Sequence, residues 1–444
     1  MRSLVSTLGP AEVSHIFVHD ATALLKNVPR DARPRNSRSY DQRALLMARP
    51  HDVVCMSSPS IDPSYAHFLS ERGIGPTSNN IIQLDTASCD EECTISDLLC
   101  RCPVLLHDIC ERVATAKRVV LNPYSVSDDV HILGKELEKV LGKPVIVLGG
   151  NPRIAASANR KHVTFRRAQL LDIPVARGEV VEWAHSQSEN LAMLRSAIRR
   201  QVEETGRVII RGADGISGSE TFTVEKNMDN REQVLGAISR TPHSSVYLVQ
   251  VLHEIVASPN ILVFVEPDDG GVEVVSVSDQ RLNRHLTHVG NVAPSIASTL
   301  ADMVRSAESY ARWLQSEGYT GLVGFDFVEY ADPESGQSQY FLAEINARAN
   351  GATYPGFLME HLNARQFSFG FPTIGAYLSA LVPLRAQSFA EFLDNYDTWL
   401  FNPRTGRGII PYAICRETLC CDMAFLGPSR NEVEKMYEAF LLVK

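Results

Sequence analysis

No stretch of this 444-residue chain comes near the ~18 uninterrupted apolar residues that a membrane span needs. The start, MRSLVSTLGPAEVSHIF, has one early Arg, but Gly9, Pro10 and Glu12 interrupt any signal-like apolar core. Both absences set the expectation of a cytoplasmic protein that engages no membrane. An excess of basic charge is missing too: the formal net charge is −9, which argues against a general nucleic-acid binder. The nine cysteines include no C-x-x-C pair. Five of them (Cys89, Cys93, Cys100, Cys102, Cys110) crowd together near His107. Without paired spacing they read as reduced thiols rather than a zinc site. Internal repeats and low-complexity linkers are also lacking. What remains is 44% apolar and 21% charged, a globular composition in a chain too long for a single core, so two or three domains are expected.

Residues 1–150 read as α/β. DVVCMSS (52–58), RVVLNPY (118–124) and PVIVLGG (144–150) are short β-branched runs, suited to strands buried on both faces of a parallel sheet. Helix-like stretches at 94–114 and 128–142 lie between them, the second closing on Gly142. The order is Rossmann-like, but no G-x-G-x-x-G follows the first strand, so nucleotide binding by this part is unsupported. From about residue 160 the pattern changes. SENLAMLRSAIRRQVEETG (188–206) aligns Leu191, Leu194, Ile198 and Val202 on one helical face, with Ser188 as N-cap and Gly206 as terminator. Strand 207–211, the glycine loop GADGISGSE (212–220) and strand 221–226 read as a hairpin, not a P-loop. ILVFVEP and VEVVSVSDQ flank DDGG (268–271), a second hairpin. Residues 295–318 read as a long amphipathic helix.

Two strands carry the polar residues that invite chemistry. In YFLAEINARANG (340–351), residues two apart share a face. Glu344 and Asn346 therefore project together, joined by Arg348 if the strand stays straight, while Phe341, Ala343, Ile345 and Ala347 face the other way. GLVGFDFVEY (321–330) precedes it, and an antiparallel hairpin would set Asp326 beside that face. Two carboxylates and an amide oxygen are hard ligands that suit Mg²⁺ with phosphate oxygens and water. The bland alternative pairs Glu344 with Arg348 and spends Asn346 on a turn. Gly212, Gly215 and Gly218 permit close approach of an anion to backbone N–H groups, and Arg211 adds fixed charge.

A glycine hairpin, a β-rich linker ending in VQVLHE, then an Asp strand followed by E-I-N resembles the ATP-grasp fold over roughly 155–360. The resemblance implies a Rossmann-like preATP-grasp domain (1–155), a two-subdomain ATP-grasp domain (156–375) and a C-terminal extension (376–444). It implies ATP held between two α+β subdomains, with Asp326, Glu344 and Asn346 as ligands of two Mg²⁺ ions and Glu344 bridging them. Lys161 falls where an early nucleotide-binding Lys is expected, with Arg160 as rival. Arg211 stands where the family usually has a phosphate-touching Lys, and Gly215, Ser217 and Gly218 belong to the loop over the phosphates. Gln250 opens the adenine hinge, the Leu252 backbone meets the ring, and Glu254 holds ribose with Asn260 as rival. Arg348 follows the metal strand where the transferred phosphate or acyl phosphate is contacted.

SVSDQRLNRHLTHVGNVAP (276–294) and the tail from 406 to 444 are similar to the peptide ligases of the pheganomycin group. That likeness implies activation of a guanidino amino acid's carboxylate as an acyl phosphate. Attack by a peptide's N-terminal amine would then give an amide, ADP and phosphate. Arg281 or Arg284 would hold carboxylate or γ-phosphate. No general base is named by the sequence; His253, His285 and His288 are available. A homodimer is compatible with this reading. A small-molecule kinase and a nucleotide-binding scaffold without turnover are the competing classes.

Overall fold

The computed structural model describes the chain except residues 1, 27–36, 58–60, 86–92, 215–219, 227–229, 241–243, 268–269, 416–417 and 443–444. Strands β1 (Val13–Val18), β2 (Val53–Met56), β3 (Ile81–Gln83), β4 (Arg118–Pro123) and β5 (Val145–Val147) form a parallel sheet in the order β3-β2-β1-β4-β5. Their apolar runs are buried because helices cover both faces of the sheet. The stretch 94–114 is not one helix. It breaks into Ile95–Cys100 and Pro103–Val113, because Pro103 has no N–H to continue the first helix but fits the opening turn of the second. The helix Asp128–Leu141 ends as expected on Gly142, in the left-handed conformation.

A small antiparallel sheet follows, β6 (Gly178–Glu182), β7 (Arg207–Gly212), β8 (Thr221–Glu225) and β9 (Val246–Val251), ordered β6-β9-β7-β8. The helix Gln187–Thr205 packs on it through Leu194, Ile198 and Val202, all buried. Each such side chain contributes about 1.5–3 kcal/mol relative to exposure. Its N-cap is Ser186 rather than Ser188: Ser186 Oγ and Glu189 form a reciprocal capping box. Ser188 has no glutamate three residues on to close such a box.

The largest sheet has nine strands: β10 (Ile255–Ala257), β11 (Pro259–Val265), β12 (Val272–Leu282), β13 (His288–Ala293), β14 (Gly321–Ala331), β15 (Ser338–Asn346), β16 (Ala376–Pro383), β17 (Gly408–Cys415) and β18 (Cys420–Gly427). Their order is β10-β14-β11-β12-β13-β16-β18-β17, with β15 on the far side of β14. The long helix runs over Leu300–Ser316, starting five residues later than the periodicity suggested. Ser295 and the Ile296 amide are occupied in hydrogen bonds to Asp279 instead. The last three strands pair onto β13 through β16, so residues beyond 376 continue this sheet. Among the described residues the architecture is mixed α/β, with one parallel and two antiparallel sheets. Among the described residues no helix is long and apolar enough to cross a membrane.

Two buried contacts tie the N-terminal part of the chain to later elements, the segment Ser37–Leu46 to β18 and the end of β1 to the helix Thr353–Phe369. Arg43 reaches Asp422 on β18 at 2.7 Å and stacks over Tyr40 at 3.7 Å. His15 Nε2 lies 3.0 Å from the Leu8 carbonyl, which only accepts, so the proton sits on Nε2. Asn122 Nδ2 then donates to His15 Nδ1, and its Oδ1 accepts from His19 Nε2, leaving His19 Nδ1 to accept from the Tyr354 hydroxyl at 3.0 Å. Burial lowers both histidines to about 4.

Candidate active site

β14 and β15 pair antiparallel, with Asp326 opposite Glu344 and Gly324 opposite Asn346. Gly324 has no side chain for a reason: a Cβ there would collide with the Asn350 amide. Asp326 is ringed by amides. Asn260 Nδ2 donates to its Oδ1 at 2.6 Å and Asn346 Nδ2 to its Oδ2 at 2.8 Å, and Gln280 is a third donor. Burial, reinforced by the Glu344 charge, still pushes the Asp326 carboxyl up to about 7.

Strict alternation fails on β15. Asp326 pairs with Glu344 while the next residue, Phe327, pairs with Leu342, so the register skips Ala343. This is a β-bulge. It turns Phe341 onto the same face as Glu344, opposite Val328, correcting the expectation that Phe341 points away. Arg211 donates through NH1 to the skipped residue's carbonyl at 3.1 Å, and through NH2 to Gln250 Oε1 at 2.6 Å. Burial lowers the Arg211 guanidinium, which Glu344 partly offsets, and its Nε has no hydrogen-bond partner. Lys161, on the helix Lys161–Leu170, places Nζ 3.3 Å from Glu344 Oε1. Two cations from the small-sheet side thus meet consecutive residues of β15.

The alternative pairing of Glu344 with Arg348 is not what forms. β15 ends at Asn346, and Arg348 NH1 turns back onto Asn346 Oδ1 and onto Asn159 Oδ1 at 3.2 Å. Asn159 Oδ1 also accepts the Ala347 N–H at 2.9 Å. On the other flank Ala176, Val328 and Phe341 form a small apolar cluster apart from the main cores, bordered by Ile255, Tyr330 and Ala343. His253 stacks on Tyr330, ring centroids 3.8 Å apart. Gln250 closes the slot, its Nε2 donating to the Ala176 carbonyl.

The other expected residues stand differently. The Leu252 N–H is engaged by the Arg207 carbonyl at 3.2 Å, so that amide is already spent on the small sheet. Glu254 is exposed just after it. Arg284 is exposed on the turn between β12 and β13, its Nε 3.0 Å from His285 Nε2, and touches none of the Asp326 group. Arg281 lies on the opposite face of β12 from Gln280, stacked at 4.2 Å over Tyr437. Arg160 pairs with Asp214. Gly215, Ser217 and Gly218 lie outside the described residues, as does Cys89. Among the described residues no three His, Cys, Asp or Glu side chains converge as a metal site.

Sequence reasoning missed Gln280 and Asn159 and placed Asn260 only as a ribose rival. Each comes from a distant segment, and lone amides carry no spacing signal. The donor set fits a hard divalent cation. Asp326 and Glu344 face each other, and Asn260 Oδ1, fully buried beside Asp326, has no hydrogen-bond partner. Asp326, Glu344 and Asn346 would hold the ion, with Asn260 Oδ1 adjacent.

No family model matches the chain, and no curated protein matches its sequence. Solved structures do. Biotin carboxylase from Campylobacter jejuni, in a β,γ-ATP complex, superposes with TM-score 0.55 at 13% identity, over 96% of this chain and 90% of that one. N5-carboxyaminoimidazole synthetase from Staphylococcus aureus, complexed with ADP, gives 0.51 at 12% identity over 97% and 96%. The biotin carboxylase domain dimer of Hydrogenobacter thermophilus 2-oxoglutarate carboxylase, with MgADP and bicarbonate, gives 0.53 at 11% over 97% and 90%. At such identities the likeness is one of fold. The chain has the ATP-grasp fold.

Proposed function

We propose that this protein is an ATP- and Mg²⁺-dependent carboxylate–amine ligase that works through an acyl phosphate. The observation that carries the reading is the meeting of Asp326, Glu344 and Asn346 with Lys161 and Arg211 between the small and large sheets. Three neighbours of the same fold hold ATP analogue, ADP or MgADP. A buried guanidinium with a vacant Nε and no carboxylate hydrogen-bonded to it is costly without an anion, and a polyphosphate supplies one. Arg211 and Lys161 would bind the phosphates. The apolar slot of Ala176, Val328 and Phe341 would take the base. Lys161, when it turns to phosphate, would release Glu344 for the metal.

Bound Mg²⁺ supplies electrostatic relief of the charge that shifts as phosphate moves to a carboxylate. Arg348, held by Asn159 and Asn346, would orient the acyl phosphate beside β15. Loop 212–220 is the proposed cover that keeps water from hydrolysing it. We assign the acyl donor as a nonproteinogenic, guanidino-bearing amino acid and the acceptor as the N-terminal amine of a peptide, in cytoplasmic natural-product assembly. The similarity of 276–294 and 406–444 to peptide ligases supports this, and a homodimer is the proposed assembly. A biotin carboxylase domain of the same fold is described as a dimer.

Hydroxylamine trapping tests the reaction class. A ligase gives ADP and a hydroxamate that depends on the amino acid supplied. A phosphoester product instead assigns a small-molecule kinase, and nucleotide binding without ADP release assigns a scaffold.

A further inference from the structure

The hairpin β17–β18 carries two cysteines that the ligase reading does not use. Cys415 ends β17, Cys420 opens β18, and they are direct cross-strand partners. Opposed residues in antiparallel strands have Cα atoms about 4.5–5.5 Å apart, inside the roughly 4.4–6.8 Å that a disulfide spans. Their thiols are hydrogen-bonded to each other, and Thr418 Oγ stands 2.9 Å from Cys420 Sγ. All the described cysteines are reduced. Cys421 points to the other face of the strand and is opposed by Ile414, so it is not a third member. Cys55 and Cys110 lie in the parallel-sheet half of the molecule.

We propose that Cys415 and Cys420 are an oxidative modification site, a dithiol that a hydroperoxide converts to an intrachain disulfide. The Cys420 sulfur attacks one peroxide oxygen. The O–O bond breaks, and the leaving oxygen departs as water (or alcohol) with the thiol proton. The Cys415 sulfur then attacks the resulting sulfenic acid. The S–O bond breaks, water leaves with the second thiol proton, and the S–S bond forms. Two thiols lose two electrons and one peroxide gains them. Burial pushes the Cys420 thiol up, with Thr418 opposing and Cys415 and Asp422 adding to the rise. The first step is therefore slow at neutral pH and quickens in base. The product would clamp the turn end of a hairpin whose Tyr412 and Asp422 face each other across the strands and whose Asp422 holds Arg43.

The test is peroxide treatment of the intact protein, alkylation of remaining thiols, and mass mapping after trypsin, which cuts at Arg416 between the two cysteines. The expected result is a linked pair of peptides containing Cys415 and Cys420 in most chains. The link is released by dithiothreitol, absent in Cys415→Ser and in Cys420→Ser, and forms severalfold faster at pH 9 than at pH 7. If both thiols remain alkylatable in folded protein, or if Cys420 proceeds to sulfinic acid with Cys415 untouched, the proposal fails. It also fails if the disulfide joins two chains. Two single variants guard against one of them misfolding.

Discussion

Asp326 and Glu344 face each other across neighbouring antiparallel strands, yet only Asp326 is ringed by amides while Glu344 is met by the ammonium of Lys161. Two like charges at that separation oppose each other, which is part of why the Asp326 carboxyl rises to about 7. A divalent cation relieves both.

Glu344→Gln removes one of the charges that a metal would neutralise. We expect ADP release to fall by about 10²–10³-fold, comparable to losing a preorganised electrostatic contact. Asn346→Asp should impair turnover less. Wild-type rates in Glu344→Gln would remove that residue from the metal site.

Arg211→Met should weaken ATP binding by roughly 10-fold or more, the scale of a lost charge-assisted hydrogen bond. Arg211→Lys keeps the charge but cannot hold the Ala343 carbonyl and Gln250 at once, so it should fall between. Isothermal titration with ATP and Mg²⁺ reads both; equal affinity in all three proteins would exclude Arg211 from the phosphate site.

The Arg43–Asp422 pair is almost wholly buried. Arg43→Met alone removes the guanidinium from a buried carboxylate and should destabilise by about 3–5 kcal/mol. The double variant Arg43→Met with Asp422→Leu should recover much of that loss. Urea unfolding of the two single variants and the double variant measures the coupling.

His19 is lowered to about 4 by burial. Between pH 6.5 and 4 the unfolded chain therefore binds a proton that the folded one refuses. Its contribution is complete above about pH 6.5 and is lost as pH falls toward 4, amounting to about 3 kcal/mol. Asp20, raised by burial to about 6, titrates in the opposite sense. The readout is therefore the difference between wild type and His19→Gln: the variant should lose less stability over that window. Parallel curves would mean that His19 is protonated in the folded state.

Periodicity placed Glu344 and Asn346 on one face correctly, because side chains two residues apart need only one short regular step of strand. It misplaced Phe341, because a bulge depends on what the partner strand and Arg211 offer, and neither is written in the local pattern. The N-cap moved from Ser188 to Ser186 for a different reason: the capping box needs Glu189 three residues on, a local signal that apolar periodicity alone passes over.

By itself the sequence determined the α/β start, the two hairpins and the Asp…Glu-x-Asn oxygen set, since short-range alternation and turn chemistry are local properties. Only the tertiary structure decided that Asn260, Gln280 and Asn159 surround that set and that Lys161 reaches it from a helix and Arg211 from another sheet. It also decided that Cys415 meets Cys420. Those contacts join separate strands and helices, and their geometry is fixed by packing and register, which a linear pattern does not encode.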